Sequence, residues 1–479
     1  MKSWRLELLK ALAYFLLGFQ LFILIYFTTV NLIYTTFIFL SMYFMAKRSL
    51  LVYRENLEAM ISNVLYRPIS IIVPAYNEEE TIVANIKSLL RLHYPEFELV
   101  VVNDGSTDQT FEQLRDNFRL VRIDKPIREV IKHNAIRGVY ASLDYPNLIV
   151  VDKENGGKAD ALNCGINVSN YPLFCCIDAD SVLEESALLR ASRLFVEDKE
   201  IIATGGTVRV LNGCLVKNGR VVEIRAPKKW IEKFQVIEYT RGFLIGRTAW
   251  NFLNSLLIIS GAFGIFRKDI VLEVGGYRHM VGEDMDLVVR LHKYCVDKKI
   301  PYKMTFVPDP ICWTQAPSDL NSLLKQRNRW HRGLIDSLWY SKGMLFNPKY
   351  GWTGLFGFPY FVFVEALGPF VEFLGYLGVV LFYIFGLLNR EFAILFFFVA
   401  FFWGVLISIG SILLDNILYR RYGSVKDIVK LSLFSILEIF GYRQIIVMER
   451  FVATFQFWYR AWGKPKRKKM EEGSDKVTA

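Results

Sequence analysis

An α/β domain with a largely parallel sheet, set between two membrane regions, is the architecture the sequence predicts. Three observations carry this reading. Two apolar regions, residues 9–45 and the stretch from Trp352 onward, are each longer than one membrane span of about 20 residues. Between them, from about Tyr66 to Tyr340, the texture is that of a soluble domain. Within it, short β-branched runs alternate with segments of helical periodicity, the pattern of strands joined by crossover helices.

The first apolar stretch has no charged residue between Lys10 and Lys47, and the polar patch Thr28, Thr29, Asn31 lies near its middle. Two helices joined by a tight turn fit that length, so residues 1–50 are expected to form a transmembrane hairpin. The basic residues Lys2, Arg5 and Lys10 before it and Lys47 and Arg48 after it would then both lie in the cytoplasm. A cleaved signal peptide would need a shorter apolar core and a small-residue cleavage site.

Residues 51–340 form the expected cytoplasmic domain. Residues 69–75, ending beside Pro74, read as a buried strand, followed by a helix over 79–90. Strands are expected at 97–102, 120–123, 148–151, 173–177 and 201–210, and helices at 109–118, 158–166 and 184–195. The long connection 124–147 reads as a helical surface insertion. Residues 341–463 return to the membrane. A kinked segment around Pro369 precedes one span, residues 392–414 form another, and residues 428–458 are an interfacial pair or further spans. This arithmetic gives four spans, or five or six if the last stretch crosses. The tail 464–479 is basic and belongs in the cytoplasm, at the inner face of the plasma membrane.

Composition narrows the function. The chain has 479 residues, 53% hydrophobic and 22% charged, which excludes disorder as its main state. Six cysteines are too few for a disulfide-framed module, and Cys175 and Cys176 sit in an apolar run as buried thiols. The net charge of +11 could serve nucleic acid, but the basic residues flank apolar stretches, so the bilayer is the expected partner and nucleic acid is not. A channel or transporter without catalysis would leave the acidic motifs below unexplained.

Those motifs sit where strands hand over to loops, the usual ligand-binding edge of such a sheet. Asp178-Ala179-Asp180 places two carboxylates beside one point, suited to a hard cation and the phosphate oxygens it holds; capping acids in a solvated loop are the plain alternative. Ala75, Tyr76, Asn77 and Glu78 end the first strand and Asp104 the second, at neighbouring positions that could hold a base and ribose. Asn155-Gly156-Gly157-Lys158 opens a helix, and its backbone N–H groups with Lys158 suit phosphate. Glu283 and Asp284 start another helix, either as dipole-favoured acids or as a general base. Gln326, Arg329 and Trp330 share one helix face, where a guanidinium can clasp diphosphate and an indole can floor a sugar; an amphipathic helix on the bilayer is the other reading.

The ordered set Asp104, Asp178 with Asp180, Glu283-Asp284 and Gln326 to Trp330 resembles the membrane-embedded, inverting family 2 glycosyltransferases: cellulose, poly-N-acetylglucosamine, chitin and hyaluronan synthases. The resemblance runs from about Ile69 to Trp330. It implies a GT-A-type, mostly parallel sheet, a UDP-sugar donor, Mg²⁺ or Mn²⁺, and a growing glycan passed through the enzyme's own helices. It implies that Asp104 binds uridine, Asp178 and Asp180 the metal and diphosphate, Asp284 acts as base, and Gln326, Arg329 and Trp330 line the acceptor end. Either UDP-N-acetylglucosamine or UDP-glucose fits, and an accessory membrane subunit is a further expected partner. A non-processive transfer to a lipid acceptor is the alternative. Gly282 stands where cellulose and poly-N-acetylglucosamine synthases usually carry Thr, and Ser260-Gly261-Ala262-Phe263-Gly264 resembles the poly-N-acetylglucosamine and chitin types somewhat more than the hyaluronan type.

Overall fold

The structure is a computed structural model that describes residues 2–54, 66–217, 219–419 and 422–456. The expected basic tail and the Arg420-Arg421 pair lie outside the described residues.

Twelve strands form among the described residues: β1 (Ile69–Ala75), β2 (Phe97–Asp104), β3 (Leu120–Ile123), β4 (Ile136–Ser142), β5 (Leu148–Lys153), β6 (Leu173–Cys176), β7 (Val182–Leu183), β8 (Ile201–Val210), β9 (Leu215–Lys217), β10 (Arg220–Glu223), β11 (Gly264–Arg267) and β12 (Lys303–Thr314). Ten make one sheet in the order β3-β4-β5-β2-β1-β6-β11-β8-β12-β7, and β9 with β10 makes a separate hairpin. The β-branched runs of β1 and β2 are buried on both faces, as central strands between helical layers must be.

The sheet is mixed, which corrects the expectation of a mostly parallel one. The pairs β5–β2, β2–β1, β1–β6 and β8–β12 run parallel, while β3–β4, β4–β5, β6–β11, β11–β8 and β12–β7 run antiparallel. Parallel neighbours need a crossover, usually helical. The connection from β3 to β4 contains no helix, so β4 returns antiparallel, and the helical insertion expected at 124–147 is instead a loop and this strand.

Residues Lys2–Arg54 form one continuous helix of 53 residues, not the expected hairpin. Neither Pro nor Gly occurs between Gly18 and Pro68, so nothing in the sequence forces a turn. The polar patch is used sideways instead: Asn31 Nδ2 donates to Val399 O at 2.7 Å, and Thr35 Oγ1 donates to Asn31 O at 2.8 Å. Tyr14–Arg48 of this helix, Arg390–Tyr419 and Val425–Phe455 are long and apolar enough to cross a membrane. Thr353–Ala366 and Gly368–Ile384 add a pair bent by 40°, as the kink at Pro369 foretold.

The first helix and the sheet domain are packed together. Met45 is fully buried with Leu244 and Leu414, Ser41 Oγ donates to Ile245 O at 2.8 Å, and Phe37 meets Trp250 edge-on at 5.0 Å. Several of the charges that interrupt the apolar stretches are paired. Glu438 takes Arg241 at 2.9 Å, Glu372 takes Arg443 at 2.8 Å, Asp415 takes Arg209, and Arg48 reaches Asp309 at 3.0 Å.

Glu438 is 2% exposed, so removing its partner strands a buried charge. Arg241→Met is expected to destabilise the detergent-solubilised protein by roughly 3 kcal/mol. Combining it with Glu438→Leu should recover most of that loss, read by thermal unfolding of the three chains.

Candidate active site

The loops after β1 and β2 are laced together. Asn77 adopts φ +55°, its Oδ1 accepts from Thr107 N at 2.8 Å, and its N–H donates to Ser106 Oγ at 3.0 Å. Glu78 N donates to Thr110 Oγ1 at 2.8 Å. Ala75, Tyr76, Asn77 and Glu78 therefore form one rim with the Ser106–Thr110 loop.

Asp104 is 2% exposed at the end of β2. Its carboxylate accepts from Gly156 N at 3.0 Å, Gly157 N at 2.7 Å and Lys153 Nζ at 2.7 Å. Burial works against the charge of Lys153, but Asp104 and Asp160 outweigh it and hold its pKa above the usual value. Gly157 sits at φ +85°, and a Cβ on Gly156 would fall 2.4 Å from the Asp160 carboxyl, so both positions require glycine. Asp104 thus fixes the turn that launches the helix Lys158–Val168.

That helix delivers Lys158 to a cavity of about 830 Å³. Lys158 Nζ lies 2.5 Å from Asp178 Oδ1 and 3.7 Å from Glu283 Oε1. Asp178 and Asp180 follow β6, and both line the cavity. Burial, and then the charge of Asp178, push Asp180 up to about 7. Glu283 also rises to about 7, through burial first, with Asp284 adding to it and Lys158 opposing.

Glu283 and Asp284 open the helix Glu283–Asp297. Asp284 Oδ1 accepts from Met285 N at 2.8 Å and Oδ2 from Gly261 N at 3.3 Å. Just before them, Gly282 touches the helix Leu320–Tyr340: a Cβ there would come within 2.6 Å of Gly333 O. The departure from Thr at this position is therefore a packing requirement of this chain. The contact brings Asp284 and the Gln326, Arg329, Trp330 face to one cavity. Arg327, which the sequence reading passed over, supports that face. It is 3% exposed, ion-pairs with Glu238 at 2.7 Å and lies 4.2 Å from the Trp330 ring centre.

The structure thus gathers Lys158, Asp178, Asp180, Glu283, Asp284, Gln326, Arg329 and Trp330 around one space. Ala75, Tyr76, Asn77, Glu78 and Asp104 stand outside its lining, with Asp104 linked to it through the glycine turn. The sequence reading missed a whole wall: Tyr239, Arg241, Arg247 and Trp250, from the helical stretch Trp230–Thr240, Arg241–Arg247, Thr248–Phe252. Two arginines inside that apolar stretch were the available signal. Tyr34, Tyr360, Phe361, Glu365, Ile446 and Arg450 add to the lining from the membrane helices. Among the described residues, no cluster of three or more His, Cys, Asp or Glu is placed to hold a metal ion.

Two family models match the chain: Glycosyl transferase family 2 over residues 70–271, and Glycosyl transferase family group 2 over residues 173–408. The poly-β-1,6-N-acetyl-D-glucosamine synthase of Staphylococcus epidermidis is 30% identical over 321 residues, covering 67% of this chain and 64% of that protein. The Staphylococcus aureus synthase of the same name is 29% identical over 269 residues, covering 55% of this chain and 54% of its own. The chain thus spans less than two thirds of the length of these relatives. A solved mannosyltransferase from Pyrobaculum calidifontis, in complex with GDP-Man and Mn²⁺, superposes at TM-score 0.47 and 15% identity, over 90% of this chain and 99% of that one. The chain belongs to the family 2 glycosyltransferases. Within them it is related to the poly-N-acetylglucosamine type of synthase, with span-length apolar helices on both sides of its catalytic domain.

The raised Glu283 gives a pH prediction. Its folded pKa lies above the ordinary carboxyl value, so its contribution to stability is complete below about pH 4.5 and is lost as pH rises through about 7. Glu283→Gln removes the titration. The variant should unfold later than the parent at about pH 8, by on the order of 2 kcal/mol, and match it near about pH 5. Parallel thermal melts across that range check it.

Proposed function

We propose that the protein is an inverting, processive β-glycosyltransferase. It moves a sugar from UDP-N-acetylglucosamine or UDP-glucose onto a growing glycan and passes the product along its membrane helices. The observation that carries this reading is one cavity in which Asp178 and Asp180, Asp284, and Trp330 meet residues of the span-length helices. The domain is GT-A-like in this reading and faces the cytoplasm, because the donor is made there.

The donor's uridine lies against the rim of residues 75–78 and 106–110, beside the turn that Asp104 holds. Lys158 and Arg329 supply positive charge to the diphosphate. Asp178 and Asp180 fit a divalent cation: two hard oxygen donors face one cavity, and Asp180 is driven toward protonation by burial and its neighbour's charge. They would hold Mg²⁺ or Mn²⁺ with phosphate oxygens completing the set, and such an ion neutralises the diphosphate leaving group. Trp330, 45% exposed in the cavity wall, offers a ring face for the acceptor sugar. The acceptor hydroxyl attacks the anomeric carbon opposite the diphosphate, the bond to the phosphate oxygen breaks, and Asp284 takes the hydroxyl proton. One observation favours the second reading, transfer of a single sugar to a lipid: Trp250, Tyr360 and Phe361 give the cavity an apolar wall at its membrane end. Product length separates the two, a ladder against a single addition. An accessory membrane subunit fits either.

Purified protein given each UDP-sugar should turn over only with metal. EDTA is expected to abolish transfer and added Mn²⁺ or Mg²⁺ to restore it; full turnover in EDTA would remove the ion from Asp178 and Asp180. Asp284→Asn keeps the oxygen that accepts from Met285 N, so the helix start should survive. Transfer at saturating donor should fall at least about 10²-fold. UDP affinity by calorimetry should change less than about threefold, since the base acts only on the acceptor. Near-normal turnover in this variant returns Asp284 to a capping role.

A further inference from the structure

The arginines between domain and membrane helices share a rule. Arg48, Arg209, Arg241, Arg327, Arg443 and Arg450 each form an ion pair with a carboxylate. Arg247 lines the same cavity and is half-buried, and its guanidinium makes no ion pair or hydrogen bond among the described residues. Its guanidinium lies 3.7 Å from the ring centre of Phe243. Burial lowers its pKa to about 10, against the pull of Asp284 and Tyr239, so it remains a cation at neutral pH. A half-buried cation without an anion is costly unless a ligand supplies one.

Its surroundings say which ligand. Gly242 and Gly246, on the same helical stretch, also line the cavity, and a Cβ added to either would meet nothing within 4 Å. The backbone is therefore bare on either side of this turn, with open space at both glycines. Trp250, Tyr360 and Phe361 also line this cavity, and Trp250 packs against Phe37 of the first membrane helix. On the other side, the field of Asp284 reaches Arg247. One cation among aromatic rings, between the base and the bilayer helices, matches a phosphoryl group carried on an apolar chain.

We propose that Arg247 binds the phosphoryl headgroup of a lipid at the acceptor end of the cavity, whether that lipid primes the glycan or is itself the acceptor. The assignment rests on the transferase reading, in which Asp284 marks the acceptor side. The guanidinium offers paired N–H donors to two phosphate oxygens, and the open space at Gly242 and Gly246 leaves room for the start of the chain.

The test uses the full chain in phosphatidylcholine vesicles. Binding is measured for phosphatidic acid, for diacylglycerol with the same tails, for inorganic phosphate and for UDP, to the parent, Arg247→Met and Arg247→Lys. The parent should prefer phosphatidic acid over diacylglycerol by at least about tenfold. Arg247→Met should erase that preference with UDP affinity changed less than about threefold, and Arg247→Lys should keep part of it. UDP binding by the parent verifies the donor site in the same preparation, so a failure of the lipid arm falls on Arg247 alone. Three outcomes overturn the proposal: an undiminished preference in Arg247→Met, an equal loss of UDP affinity, which would make Arg247 a donor-phosphate contact, or displacement of the lipid by an equal concentration of inorganic phosphate. Should Arg247→Met fail to fold, Arg247→Lys decides: a preference equal to the parent's with weakened UDP binding also overturns it.

Discussion

Gly282 and Gly333 touch backbone to backbone, and the placement of the chemistry depends on that contact. A methyl group on Gly282 would stand 2.6 Å from Gly333 O, and one on Gly333 would stand 2.8 Å from Gly282 Cα. Neither carbonyl nor Cα can retreat the way a flexible side-chain tip can. The two helices therefore approach as closely as backbones allow. One carries Glu283 and Asp284 at its first turn, and the other carries Gln326, Arg329 and Trp330 within the seven residues before Gly333, a stretch of nearly two turns. The proposed base and the proposed sugar platform thus face one space through a junction that tolerates no side chain.

A second layer of constraint is electrostatic. The membrane helices carry acids that would be expensive alone in an apolar setting, and arginines meet them. Arg241 and Arg209 come from the catalytic domain, so the pairs to Glu438 and Asp415 tie the domain to the membrane helices as well as neutralising them. Buried pairs of this kind add little net stability compared with apolar packing, but they penalise misplacement severely. Their value here is in register: a helix shifted by one turn would leave a carboxylate unpaired.

What the sequence made legible follows from this physics. Strands β3 and β8 were readable to their end residues because their apolar runs are bounded by polar or helical texture. Strand β12 was not. Pro308 and Pro310 lie inside it, and its register against β8 breaks between Phe306 and Ile311, so no periodic signal survives. Strand β11 has four residues, too few for a pattern, and its antiparallel direction is set by tertiary packing. Among the site residues, those at strand ends and on one helix face were found because topology and spacing alone place them. Arg247 and Trp250 escaped because only the docking of their helix against residues 37–45 turns them toward the cavity. Asp104 was legible as a site residue, but its burial beneath the Gly156–Gly157 turn was not, since that depends on a loop from a neighbouring strand.

The helix Lys2–Arg54 also acts as a gauge. It has no Pro or Gly between Gly18 and its end, and it is fastened at two heights, by Asn31 to Val399 and by Ser41 to Ile245. Ten residues separate these fastenings, and the helix between them can neither bend sharply nor unwind cheaply. Inserting one residue there would turn the upper part by about 100° relative to the lower and lift it by about 1.5 Å. Asn31 and Ser41 could not then both find their carbonyls. Point substitutions in this stretch are therefore absorbed as ordinary changes of lipid or packing contact, whereas any change in its length is a change in the distance and angle between bilayer and cavity. Evolution can vary the letters of this segment far more freely than their number.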